Sequence, residues 1–105
     1  MAPLWKVLQD AGVDLVLSGH DHHYERFAPQ NGAGGLDTSF GVREFIVGTG
    51  GESVGGLGTV APNSEVRDGA TYGVMKLRLH QSSYDWQFIP IAGQNFTDTG
   101  SGACH

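Results

Sequence analysis

Apolar and polar residues recur along the chain with two different periods, and the changes of period mark its elements. Leu4, Val7, Leu8 and Ala11 stand at i, i+3, i+4 and i+7, which predicts a short amphipathic helix over 3–12. Pro3 suits the first turn, where its missing N–H is harmless, and Gly12 stands where a helix C-cap is wanted. Residues 13–18, Val-Asp-Leu-Val-Leu-Ser, form a compact apolar run that predicts a buried strand ending at Gly19. A helix feeding such a strand implies an α/β layer whose sheet is covered on both faces. Residues 27–42 read as a loop with turn signals at Asn31-Gly32 and Gly34-Gly35, and Glu44 to Gly48 as a second apolar strand. The glycine-rich interval 49–69 reads as irregular.

The pattern is clearest further on. In Tyr72 to His80, Met75, Leu77 and Leu79 alternate with Lys76, Arg78 and His80. In Tyr84 to Ile91, Tyr84, Trp86 and Phe88 alternate with Asp85 and Gln87. Joined by Gln81-Ser82-Ser83, the two runs predict an antiparallel hairpin with one buried face. The tail from Gly93 to His105 is polar and glycine-rich, and no regular structure is expected there.

Composition narrows the function classes. At 105 residues the chain is one domain's worth at most. Glycine supplies 17 of those residues, against an expected share of about 7%, and it is concentrated in loops, where chemistry is usually held. The formal charge is −5, and the six Lys and Arg form no basic run, which argues against nucleic acid as a partner. No stretch approaches the roughly 20 apolar residues of a membrane span, and no signal-peptide core is visible. The single cysteine, Cys104, leaves no internal disulfide.

Candidate chemistry is concentrated at 19–26, Gly-His-Asp-His-His-Tyr-Glu-Arg, directly after the first strand. In open α/β sheets ligands bind at that end of the strands. Neutral imidazoles are good ligands for zinc, iron and related metals. In extended backbone His20 and His22 would point to opposite sides, but in a tight turn they converge and can each serve one of two ions about 3.5–4 Å apart.

Gly-His-Asp-His at 19–22 resembles the Gly-His-x-His motif that closes the active site of calcineurin-like metallophosphoesterases. The continuation His-Tyr-Glu-Arg at 23–26 is similar to the purple acid phosphatase branch. The run at 45–51, the hairpin and the Thr-Asp-Thr-Gly-Ser-Gly-Ala-Cys-His ending resemble secreted bacterial members of that group. The resemblance implies an α/β fold, the C-terminal part of a four-layer αββα sandwich ending in a hairpin, with residues 1–105 an incomplete portion of a catalytic domain. It implies a metal-dependent phosphoester hydrolase using two divalent or mixed-valence ions (Fe, Mn or Zn), acting on a phosphate ester, secreted or periplasmic, with no nucleic-acid or membrane partner. His20 would bind the second metal and His22 the first. His23, Tyr24, Glu25 and Arg26 become candidates for supporting the ligands, and Gly50 and Gly51 for bringing backbone close to the metal centre or substrate.

The departures matter as well. The family's other ligands come from Asp-x-His, Gly-Asp and Gly-Asn-His motifs upstream, and the chain contains no Gly-Asp or Gly-Asn dipeptide. The metal-bridging aspartate is therefore expected from a missing upstream part of the domain, and the general acid is not identified. The alternatives are an autonomous, non-catalytic metal-binding protein and an inactive orphan fragment.

Overall fold

The computed structural model describes residues 2–55 and 57–105. One helix, α1 (Ala2–Asp10), precedes seven strands: β1 (Leu15–Ser18), β2 (Tyr24–Phe27), β3 (Arg43–Val47), β4 (Ser64–Asp68), β5 (Gly73–Leu79), β6 (Ser83–Pro90) and β7 (Thr99–Ala103). Four strands form a mixed sheet in the order β1-β3-β2-β4, and three form an antiparallel sheet in the order β5-β6-β7. The expected α/β architecture, part of a four-layer αββα sandwich, is therefore overturned. The molecule is mainly β, two sheets packed face to face with one short helix outside them. The physical reason lies in three segments that carry little apolar periodicity and still form strands, β2, β4 and β7. They satisfy their backbone groups against neighbours whose side chains supply the burial.

Local chemistry explains the ends of α1. Val13 N–H donates to Leu8 C=O and Gly12 N–H to Gln9 C=O, at 3.1 and 3.0 Å, and Gly12 takes φ +78°. This is a Schellman closure, which requires a left-handed residue at that position. The expected apolar stripe of the helix is left partly uncovered, with Leu4 and Val7 exposed. Trp5 Nε1–H donates to Gln30 C=O and Gln9 binds Asp37, tying the helix to the 28–42 loop.

Strand β1 pairs in parallel with β3 and occupies an edge of its sheet. The sequence predicts a strand covered on both faces, yet Leu17 is 54% exposed. The hairpin lies where the alternation places it: β5 and β6 pair from Gly73↔Pro90 to Leu79↔Tyr84, with Tyr84, Trp86 and Phe88 buried. The tail expected to lack structure instead forms β7, paired with β6 from Ser83↔Ala103 to Gln87↔Thr99.

The core sits between the sheets. Tyr24 and Phe45 from one face meet Tyr84, Trp86 and Phe88 from the other, with Leu15, Val47, Val66, Met75 and Leu77 packed around them. The Tyr24 and Phe88 rings are 4.8 Å apart and the Phe45 and Trp86 rings 5.2 Å, distances at which tilted aromatic pairs attract beyond simple burial. Among the described residues no helix is long and apolar enough to cross a membrane.

Candidate functional site

Residues 19–23 form the connection between the end of β1 and the start of β2. His23 N–H donates to Asp21 C=O at 3.0 Å, so the chain reverses within a few residues and does not run extended past the sheet. Gly48, just beyond β3, presses against this turn. Its N–H donates to His23 C=O, and a Cβ built on it would lie 1.9 Å from the Asp21 carbonyl oxygen. Only a residue without a side chain permits that approach.

The turn separates the three histidines by environment. His20 and His22 are exposed and line an open cleft of about 560 Å³, together with Asp21, Ser53 and Val54. His22 Nδ1 lies 3.2 Å from Ser53 C=O. Donation from Nδ1 fixes the tautomer and leaves Nε2 with a lone pair, the usual preparation of a metal-binding imidazole. His23 turns inward and is 8% exposed. Its Nε2 is 2.9 Å from Glu25 Oε1, while Glu25 Oε2 accepts from Ser64 Oγ at 2.5 Å. His23 and Glu25 form part of the cleft wall.

Strand alternation sends Tyr24 and Arg26 to the opposite face, into the core. The Tyr24 hydroxyl donates to Asp98 at 2.7 Å, and Arg26 holds the same carboxylate in a two-pronged grip at 2.8 and 3.1 Å. Burial and the Asp98 carboxylate push the Tyr24 hydroxyl far above its ordinary value, so it remains a donor. These two residues brace the sheets and do not line the cleft. Gly50 and Gly51, candidates for an approach to the metal centre, border a separate hollow with Thr49, Tyr72 and Ile91.

Sequence reasoning passed over two participants, Ser64, which fixes Glu25, and Arg67, which lines the cleft; Glu44, half-buried, lies outside the cleft lining. Burial raises the Glu44 carboxyl, its hydrogen bond from Ser18 opposes the rise, and the nearby carboxylates of Glu25 and Asp21 add to it. The charge break in Arg-Glu-Phe-Ile-Val was the available signal for Glu44. Ser64 and Arg67 stand in a stretch whose pattern gives no strand.

As donors, two exposed imidazoles on one tight turn suit a borderline divalent cation. Among the described residues no group of three or more His, Cys, Asp or Glu side chains is placed to hold a metal ion. Compared with known protein families, with characterised proteins and with solved structures, the chain finds no match.

Proposed function

We propose that this chain supplies two histidine ligands, His20 and His22, to the dinuclear centre of a metal-dependent phosphoester hydrolase whose remaining ligands lie outside these 105 residues. The observation that carries the reading is the separation of the histidines by the 19–22 turn. His20 and His22 stand exposed on one cleft wall, whereas His23 is buried against Glu25. The uncovered Leu17 edge of β1 and the exposed Leu4 and Val7 of α1 fit a fold that packs against further polypeptide.

In this role the chain's own residues hold and orient. Ser53 C=O sets the His22 tautomer, Gly48 permits the tight turn, and the His23–Glu25–Ser64 chain of hydrogen bonds stiffens the strand that follows. When bound, two metal ions lower the pKa of a water, orient the phosphate and stabilise charge on its oxygens. The proposed setting is extracellular or periplasmic, on the sequence resemblance alone.

Cobalt titration of the purified chain tests the reading. Visible absorption from nitrogen-bound cobalt is expected, and His20→Ala or His22→Ala should weaken binding at least about tenfold, since each removes a direct ligand. A spectrum indifferent to both replacements would overturn the assignment. Offering the metal-loaded chain a chromogenic phosphate monoester extends the test to the chemistry. Turnover abolished by His22→Ala would overturn the placing of the remaining ligands outside these 105 residues, and its absence would leave them on other polypeptide.

A further inference from the structure

Among the described residues that line the cleft, one carries a permanent positive charge: Arg67, on β4. We propose that Arg67 is the side chain that receives the phosphate group in this cleft. The proposal deepens the function proposed above and rests on it for the position of the reacting phosphate.

Register places Arg67 on the right side of the sheet. It is the cross-strand partner of Glu25, and directly opposed residues of an antiparallel pair project to the same face. That face carries the cleft, while the alternate residues Tyr24, Arg26 and Val66 face the core.

Its pairing state distinguishes it from every other arginine. Arg26 is bound to Asp98 and Glu65, Arg43 to Glu65, and Arg78 lies beside Asp85. Arg67 has no carboxylate within ion-pair distance among the described residues. Glu25, which opposes it, is already engaged by His23 and Ser64. One Arg67 nitrogen, Nη2, donates to Gly58 C=O at 2.7 Å and anchors the side chain. Its Nε is enclosed and has no hydrogen-bond partner among the described residues. The enclosed Nε of Arg43 is likewise unpartnered, but that guanidinium lies over Trp86 and is neutralised by Glu65, so it asks for no ligand.

A guanidinium anchored at one nitrogen, uncompensated in charge and lacking an acceptor matches the fork geometry with which arginine takes two phosphate oxygens. A phosphate in the cleft would supply the missing negative charge and accept hydrogen bonds from the cleft-facing side of the guanidinium. The Arg67 charge would also offset the repulsion that Asp21 and Glu25, on the same walls, exert on such an anion.

Phosphate titration of the metal-free chain, in chelator and at constant ionic strength with chloride as the matched salt, decides the matter. In nitrogen-15 correlation spectra the Arg67 Nε–H resonance should move saturably with inorganic phosphate. Apparent affinity should fall at least about tenfold in Arg67→Gln, less in Arg67→Lys, which keeps the charge and loses the fork. An Arg67 resonance that stays still, or an Arg67→Gln variant of unchanged circular dichroism that binds phosphate as the parent does, would overturn the proposal. The wild-type resonance decides even where the variant fails to fold. The cobalt titration judges His20 and His22 separately, so the metal reading can fail while Arg67 stands, and the reverse.

Discussion

Asp98 accepts four hydrogen bonds from three side chains: one from Tyr24, two from Arg26 and one from Trp86. It precedes β7 and bonds to residues of β2 and β6, so one carboxylate joins both sheets. Its burial by itself would raise the pKa, but the Arg26 and Tyr24 hydrogen bonds and the Arg26 charge outweigh that and hold the carboxyl below its usual range. A depressed folded pKa gives stability that is present above the unfolded value, about 3.9, and is lost as pH falls through the folded one. The urea midpoint should accordingly be level from neutral pH to about 5 and drop below about 4. Asp98→Asn should remove part of that acid dependence and cost about 3 kcal/mol at neutral pH, the low end for breaking a buried ion pair. A midpoint that falls with acid equally in the variant would assign the effect to other carboxylates.

At the scale of elements, the turn at 19–22 depends on the strand end beside it. Gly48→Ala would drive a methyl group into backbone atoms of Asp21 and Gly19, at built distances of 1.9 to 2.9 Å, so the turn must shift. The expected cost is about 1–3 kcal/mol in thermal or urea stability, together with weaker cobalt binding at His20 and His22. A variant that keeps the parent's cobalt affinity would show that the turn is positioned by something else. The same elements show what a sequence can disclose. The β5–β6 hairpin was legible because its own side chains carry the period of their burial. The apolar runs of α1, β1 and β3 were legible as well, although α1 and β1 leave part of that apolar surface exposed. Strand β7, Thr-Gly-Ser-Gly-Ala, was not, because its inward positions are Gly100 and Gly102. Cβ atoms there would lie 2.3 and 2.4 Å from the Trp86 and Tyr84 side chains, so the apolar signal for that layer is written in β6. Strands β2 and β4 were hidden by five ionic residues, of which Glu25, Arg26 and Glu65 are ion-paired inside the structure. Of the candidate site, the cluster His20 to Arg26 was visible as a cluster. The turn sets His20 and His22 on the cleft, and strand alternation divides cleft-facing Glu25 from core-facing Tyr24 and Arg26, which a tight-turn reading of the cluster could not supply. Arg67 and Ser64 came to the cleft through the β2–β4 pairing, a long-range contact with no local signature.

In the whole molecule the four-stranded sheet ends on one side at β1. Strand β1 has a partner on one side only, Leu17 is exposed there, and Leu4 and Val7 of α1 are uncovered as well. An open, apolar strand edge is a template for association. The purified chain should therefore sediment with concentration-dependent mass, and Leu17→Lys should shift it toward the monomer without lowering its melting temperature by more than about 1 kcal/mol equivalent, as for an exposed site. Unchanged association in Leu17→Lys would mean that β1 is not the contact.

The arginine-flanked core ring has a practical corollary. Trp86 lies within 5.1 and 5.0 Å of the Arg26 and Arg43 guanidiniums, meets Phe45 edge-on and donates its indole N–H to Asp98. The chain's other indole, Trp5, belongs to the helix outside the sheets. The two emit from unlike surroundings, so the chain carries two built-in lamps. With Trp5 replaced by Phe, the colour and brightness of the remaining fluorescence report whether the two sheets are docked. With Trp86 replaced instead, they report only whether the helix is seated.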